Sequence, residues 1–232
     1  MPSPATTDKT ASGSCFDPGQ QQRDVDAKIV AALERLAHAM NNALQDASYA
    51  QELSPTQAQF LVYLLYREDS EHNLTELARH FRLRVPTVSD VVSTLVAKGL
   101  IERNPSHWDR RMRLVRLTAE GRRKARRIAQ WAESLRWQVR QMDAEVKPQF
   151  LATLLHLIAR LQQAGLITVA RCCTTCLYFQ PGVHDDPQRP HHCGLLDIPL
   201  YLHDLRADCP DHKSVLAGGE SRPAQETVSK DP

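Results

Sequence analysis

Apolar residues recur at helical spacing through most of the chain, and the first such stretch predicts a long amphipathic helix. From residue 25 they follow one another at steps of three and four, which places them on one stripe of a helix. That stripe comprises Val25, Ile29, Leu33, Leu36, Met40 and Leu44. A second helix is predicted to begin at a capping box formed by Ser54 and Gln57, with Pro55 at its first position. Its run AQFLVYLLY is apolar on nearly every side, which predicts a buried helix.

Two shorter helices are predicted next. Asn73, with Glu76 three residues later, predicts the start of the helix LTELARHF. Pro86 starts the following helix, PTVSDVVSTLVAKG, and Gly99 ends it as a usual C-terminal stop. Two helices in close succession, the second ending at a glycine, are the order of a helix-turn-helix pair.

A β-hairpin and two long helices complete the regular part of the pattern. The extended runs 100–103 and 114–117 flank a polar tip, which predicts the hairpin. Thr118 then caps a long helix with a heptad-like seam, which is typical of packing against a partner helix. The seam comprises Ile128, Ala132, Leu135, Val139 and Met142. The last helix begins after Asp143 and ends at Gly165. Its apolar stripe comprises Phe150, Leu154, Leu157 and Leu161.

These elements predict a mainly α fold with a small β-hairpin wing, that is, a winged helix-turn-helix with long dimerisation helices. A small metal-stapled module is expected after the last helix. The predicted divisions are a disordered N-terminal arm (1–21), a winged and dimerisation domain (22–167), a cysteine-rich metal-binding module (168–213) and a disordered tail (214–232).

The distribution of charge favours a nucleic-acid partner for the hairpin. The formal net charge of the whole chain is only +2, but residues 101–127 contain ten Lys or Arg and three Asp or Glu. Such a basic patch is typical of phosphate binding. For the run Arg122–Arg127, a solvated helix face is an equally good interpretation. The chain shows no signal-peptide pattern and no apolar run of about 18–20 residues, so we expect a cytoplasmic, nucleoid-associated location.

The chain resembles the MarR family of bacterial transcriptional regulators between about residues 30 and 165. The residues that carry the resemblance are Leu95-Val96-Ala97-Lys98-Gly99-Leu100-Ile101-Glu102-Arg103, Asp109-Arg110-Arg111, Val115-Arg116-Leu117-Thr118 and Gly121. The resemblance implies a homodimer whose terminal helices form the interface and whose two winged motifs bind a pseudo-palindromic DNA site. It implies no catalysis. It also implies a small-molecule effector site between the dimer helices and the winged domain, but no residue here identifies an effector.

The resemblance also suggests which residues contact DNA. In the wing, Asp109 would orient Arg111 (or Arg110) for entry into the minor groove, because a carboxylate fixes a guanidinium that would otherwise be mobile. On the recognition helix and around it, the residues expected to contact bases or phosphates are Arg84, Thr87, Ser89, Asp90, Ser93, Arg103 and Arg113. For Thr87 and Ser89, helix capping is the alternative interpretation.

The recognition helix departs from the family pattern. Asp90 stands where the family often has an arginine, and Ser93-Thr94 stand where it often has Asp-Arg. A carboxylate that faces the groove repels phosphate, although it can accept a hydrogen bond from cytosine N4. The operator sequence therefore does not follow from the resemblance.

The cysteines predict a metal site beyond the winged domain. Five of the six cysteines lie between Cys172 and Cys209, and clustering without an export signal indicates metal rather than disulfides. The preferred ligands are Cys173, Cys176, Cys193 and Cys209, with Cys172, His192 and His212 as alternates. Zinc is the first expectation, an iron–sulfur cluster the alternative, and unligated thiols a third interpretation. Because the segment contains few core-forming residues, we expect it to need the metal to fold.

The sequence therefore predicts a DNA-binding transcriptional regulator, a repressor, with a C-terminal zinc site. One alternative is a metal- or redox-sensing switch that uses the cysteine site. Another is a protein-interaction module that no longer recognises a DNA sequence. An enzyme is not expected, because a catalytic zinc keeps an open coordination position and needs a general base.

Overall fold

The computed structural model describes residues 14–67, 72–105 and 113–215. These residues form two compact units. We call the first the winged unit; its described residues lie within Met1–Leu74 and Pro86–Val139. We call the second the cysteine unit; its described residues lie within Thr75–Val85 and Arg140–Pro232. Within the described ranges, none of the helices is both long enough and apolar enough to cross a membrane.

Three helices open the winged unit: α1 (Pro18–Arg23), α2 (Val25–Tyr49) and α3 (Pro55–Leu65). The capping box that starts α3 is confirmed, because Ser54 accepts from the Gln57 amide and the Gln57 side chain accepts from the Ser54 amide. The prediction that residues 1–21 form a disordered arm was wrong for residues 18–21, which belong to α1. Asp17 accepts a hydrogen bond from the amide of Gly19, and this cap starts α1.

The buried face of α2 differs from the predicted one. The stripe residues Val25, Ile29, Leu36 and Met40 are 44–63% exposed. The buried residues of α2 are Ala27, Ala31, Leu44 and Ser48. Small side chains let neighbouring elements approach closely, so alanines mark the packed face in the first half of the helix. Val25, Ile29, Leu36 and Met40 are left at the surface of the chain, whereas Leu44, the last residue of the predicted stripe, is buried.

Helix α5 (Val85–Ala97) leads into the predicted hairpin, which the structure confirms. Strands β1 (Ile101–Pro105) and β2 (Arg113–Leu117) pair antiparallel, with Ile101 opposite Leu117. The hairpin tip, residues 106–112, lies outside the described residues. The buried hydrophobic residues of the two strands are Ile101, Leu114, Val115 and Leu117.

Thr118 joins the hairpin to α6 (Ala119–Ile128). Its hydroxyl oxygen accepts from the Gly121 amide at 3.0 Å and donates to the Gly99 carbonyl at 2.7 Å. Gly121 is pressed so closely against Leu100 that a Cβ atom at this position would collide with the Leu100 carbonyl oxygen. The motif residues Thr118 and Gly121 therefore hold the start of α6 against the residue that precedes the wing.

The predicted long helix after Thr118 is interrupted. A 3₁₀ turn at Ala129–Ala132 separates α6 from α7 (Glu133–Arg140). The seam proposed from Ile128 to Met142 is therefore not one continuous helix face, and its first residue, Ile128, is fully buried. Because Ile128 already packs within the chain, it is not available to a partner helix. This part of the dimerisation prediction was wrong.

The cysteine unit contains α4 (Leu74–Phe81) except for its first residue, helix α8 (Val146–Gln163) and a small antiparallel sheet. The sheet has the order β3-β4-β5 and was not predicted from the sequence. Its strands are β3 (Phe179–Gln180), β4 (His191–Cys193) and β5 (Ile198–Leu200). Gly165 ends the α8 region with a φ of 73°, a conformation that glycine adopts without strain.

Helix α8 and the segment after it share one core. The fully packed members of that core are Ala152, Leu155, Ala170, Cys172, Leu200 and Leu205. The predicted apolar stripe of α8 was therefore misplaced, because the buried residues of the helix are Ala152, Leu155, Ala159 and Gln162. The segment after residue 168 also has more core than its own composition suggested, since α8 supplies part of it.

Candidate nucleic-acid interface and cysteine-lined cavity

Helix α5 has a buried apolar face and an exposed polar one. Val88, Val92 and Leu95, at steps of four and three, are fully buried. Thr87 and Asp90 lie exposed on the other side, which leaves their side chains accessible to a ligand. Ser93, three residues after Asp90, is also exposed, while Ser89 is half-buried.

Arg103 of β1 is attached to this polar face. Its guanidinium donates to the Ser93 hydroxyl at 2.9 Å and to the Ser89 carbonyl at 3.3 Å. The sequence placed these three residues in one set of expected DNA contacts but did not predict that they touch. The bonds fix the base of the wing against the helix, and they also occupy the Ser93 hydroxyl.

The other predicted DNA contacts fall into two groups. Arg84 is exposed and directly precedes α5, and Arg113 is exposed at the start of β2, opposite Pro105. Asp109, Arg110 and Arg111 lie in the segment 106–112, outside the described residues, so their expected roles stay predictions.

Much of the basic run on α6 has a structural role. Arg122 donates to the Leu117 carbonyl at 3.0 Å, and Lys124 donates to the Gln51 carbonyl at 3.0 Å. Arg123 pairs with Glu120 one turn earlier. For these three cations we therefore favour the interpretation that they belong to a helix face that is not dedicated to phosphate binding. Arg126 and Arg127 are exposed and remain accessible to DNA.

The four preferred cysteines of the second candidate site line one cavity of about 250 Å³ in the cysteine unit. Cys173 begins the 3₁₀ turn Cys173–Thr175, and Cys176 follows that turn directly. Cys193 is the last residue of β4, and Cys209 lies in the loop after the 3₁₀ turn at residues 202–204. Three separate segments therefore bring the four thiols to the same cavity.

Arg206 contacts two of these thiols. Its backbone amide donates to Cys173 Sγ at 3.2 Å and its guanidinium donates to Cys209 Sγ at 3.7 Å. Burial raises the pKa of the Cys173 thiol, and the bond from the Arg206 amide opposes that shift. The negative charges of the other three thiolates raise the same pKa, as expected for sulfurs that face a common space. The bond to Cys209 raises the pKa of Arg206.

The alternate ligands lie elsewhere. Cys172 is fully buried in the core shared with α8, where its sulfur contacts the Thr174 hydroxyl at 3.2 Å. His192 pairs with His184 and Asp197, at 3.2 Å in each case. None of these side chains lines the cavity.

His212, the remaining alternate, also lies outside the cavity lining. Its Nε2 contacts the Thr175 hydroxyl at 2.9 Å, and burial lowers its pKa. The structure therefore brings together the four preferred cysteines and none of the three alternates.

Whether the cysteine-lined cavity can hold a single metal ion depends on how closely its potential ligands converge. Among the residues that the structure describes, no three His, Cys, Asp or Glu side chains converge closely enough to hold one ion. A tetrahedral zinc site needs every sulfur at about 2.3 Å from a single point. The expectation of a single zinc is not supported by this geometry.

Comparison with known proteins adds to the geometry of the winged unit. Residues 53–112 match the MarR family model. Residues 53–112 are therefore similar to the MarR family, and the described part of this segment is mainly helical and leads into the small antiparallel hairpin. No curated protein matches the chain.

Three solved structures are similar to part of this chain. Staphylococcus aureus MepR in its DNA-binding conformation is 21% identical, covers 58% of this chain and 98% of its own, and has a TM-score of 0.52. The S. aureus MepR–DNA complex is 23% identical over 56% of this chain and 96% of its own, with a TM-score of 0.50. YusO of Bacillus subtilis is 22% identical over 61% of this chain and 99% of its own, with a TM-score of 0.44. The MepR structures support the MarR fold for somewhat more than half of the chain.

Proposed function

We propose that this protein is a transcriptional regulator of the MarR type, a repressor that binds pseudo-palindromic operator DNA as a homodimer in the cytoplasm, at the nucleoid. One observation carries the proposal. Helix α5 exposes the polar side chains of Thr87, Asp90 and Ser93, and Arg103 of the wing is hydrogen-bonded to the same face. A polar helix face beside an arginine of the wing is an arrangement with which winged proteins enter the major groove and contact the neighbouring backbone. The MepR–DNA complex, which has this fold, supports the proposal.

The exposed stripe of α2 supports a homodimer. Ile29, Leu36 and Met40 are each about half-exposed, and they lie on one side of the helix with Val25. Large apolar residues that recur along an exposed helix face are typical of an interface. A second copy of this chain is the occupant that we propose, because a twofold dimer presents two recognition helices to the two halves of a pseudo-palindrome.

Replacing Arg111 by Ala tests the predicted role of the wing. We expect affinity to fall by a similar factor for operator and unrelated DNA, and the slope of log K against log salt to become shallower by about one. The measurement is a binding titration on promoter fragments, including its own, at several salt concentrations. Arg136→Ala is the matched control, because Arg136 is an exposed arginine of α7 that pairs with Glu133. If the unmodified protein shows no salt-dependent binding to any fragment, the interaction-module alternative replaces the proposal.

Replacing Arg103 by Gln tests a positioning role for this residue. Because Arg103 is bonded to Ser93 and Ser89, we expect the substitution to disturb α5 without removing a phosphate contact. The ratio of operator to random-sequence affinity should then fall while the salt slope stays unchanged. A slope that becomes shallower by about one would instead make Arg103 a phosphate ligand.

A further inference from the structure

The four preferred cysteines line one cavity. Cys173, Cys176, Cys193 and Cys209 all line the cavity of about 250 Å³, and each is partly buried. In the described part of the chain no three potential ligands converge on one position. A cavity of about 250 Å³ leaves room for a ligand of several atoms between the thiols.

An iron–sulfur cluster needs room for several atoms between its cysteine ligands, whereas a zinc ion does not. Around zinc, four thiolates bind one ion at about 2.3 Å, so that their sulfurs are in mutual contact. In a cluster, the cysteines bind different iron atoms of an inorganic core, so their sulfurs lie farther apart and face inward from several sides. A cavity of about 250 Å³ lined by four cysteines, with no three potential ligands converging among the described residues, fits the second case.

The walls of the cavity are suited to such a core. Phe179, Leu196 and Ile198 contribute apolar surface, which limits access of water to a cluster. The amide and guanidinium of Arg206 donate to two of the sulfurs, and donors of this kind stabilise thiolate ligands and tune the reduction potential of a cluster. Asp204 and Asp211 also line the cavity. Asp204 accepts from the Tyr201 amide at 3.0 Å, so its carboxylate also has a structural role.

The segments that carry the cysteines are held by hydrogen bonds between protein groups. The Cys173 amide donates to the Arg206 carbonyl at 3.0 Å. Arg171 donates to the Cys209 and Pro210 carbonyls at 2.9 and 2.8 Å. The Leu177 amide, one residue after Cys176, donates to the Lys213 carbonyl at 2.7 Å. These bonds keep the ligand-bearing loops spaced around the cavity.

We propose that Cys173, Cys176, Cys193 and Cys209 bind an iron–sulfur cluster in this cavity. Each thiol gives its proton to solvent when its sulfur bonds to iron. The proposed cofactor is the iron–sulfur cluster that the sequence analysis gave as the alternative to zinc. None of the alternate ligands, Cys172, His192 and His212, takes part. It is independent of the DNA-binding proposal, because cluster content is measured without DNA.

The experiment measures metal and sulfide in the full chain, produced in cells supplied with both iron and zinc and purified without oxygen or chelator. We expect iron and acid-labile sulfide in equal amounts, at least two of each per chain, together with the broad visible absorption of sulfur-to-iron charge transfer. One zinc per chain without sulfide would overturn the proposal, and so would protein that contains neither metal.

Single serine substitutions test the ligand set. Replacing Cys173, Cys176, Cys193 or Cys209 by Ser should remove most of the iron, the sulfide and the visible absorption. Cys172→Ala is the matched control, because Cys172 is a neighbouring cysteine that faces the core instead of the cavity, and it should retain its cluster. Loss of the cluster from the control alone would contradict the assignment. Because a ligand variant could lose the cluster by misfolding, the electron paramagnetic resonance of reduced wild-type protein provides a second test, and a spectrum without a cluster signal would also overturn the proposal.

Discussion

Replacing Ile29 by Asp is expected to convert the homodimer into a monomer and to lower its affinity for operator DNA. Ile29 is 50% exposed in the single chain, so a carboxylate there stays hydrated in the folded monomer. In a dimer formed through this stripe of α2, the same carboxylate would be buried without a partner. A twofold interface contains two copies of the substitution, each of which costs about 2–3 kcal/mol. The dimer dissociation constant should therefore rise by at least about a thousandfold.

Sedimentation at several protein concentrations measures the oligomeric state, and DNA titration on the same samples measures the consequence. Asn42→Asp is the matched control, because Asn42 is exposed on the opposite side of α2 and receives the same charge. The control should remain dimeric. An Ile29→Asp protein that stays dimeric at low concentration would exclude this stripe as the interface, and a monomeric wild-type protein would exclude the dimer itself.

Replacing Gly121 by Ala is expected to lower the free energy of unfolding of the winged unit by about 3 kcal/mol. The added methyl group would collide with the Leu100 carbonyl oxygen, which belongs to the backbone and cannot rotate away. Relief requires α6 to move from the residue that precedes the wing, and this would disturb both hydrogen bonds of the Thr118 hydroxyl.

Urea unfolding followed by tryptophan fluorescence measures this effect, because Trp131 and Trp137 belong to the winged unit. Gly19→Ala provides the control: Gly19 also lies in a helix, but the nearest atom to an added Cβ is Asp17 Oδ1 at 3.5 Å, an ordinary contact. The control should unfold at an unchanged or slightly higher urea concentration. Equal stability of the two variants would show that the helix relaxes without cost.

Features that depend on a few neighbouring residues could be predicted from the sequence. The capping box at Ser54, the hairpin between residues 101 and 117, and the helix ends at Gly99 and Gly165 all depend on local backbone chemistry. The spacing of the cysteines is a property of the same kind, and it identified the four thiols that line the cavity.

Buried faces could not be predicted in this way. The periodicity of large apolar residues indicated the stripe of Ile29 and Met40 on α2 and the stripe of Phe150 on α8, but in each helix alanines mark a more closely packed face. A large apolar side chain is favourable in a core and equally favourable in an interface between chains. Periodicity alone therefore does not distinguish the two.

Three further features depended on contacts between distant parts of the chain. Arg103 reaches Ser93 only because β1 lies beside α5, and the segment after residue 168 gains a core only because α8 packs against it. The spacing of the cysteines likewise specifies how many sulfurs are available but not how far apart they stand. The sequence by itself determined local turns, caps, strands and the set of available ligands, since these depend on short-range backbone chemistry. The tertiary structure decided which faces are buried and that the four cysteines line one cavity, because both depend on the packing of segments that the chain brings together from a distance.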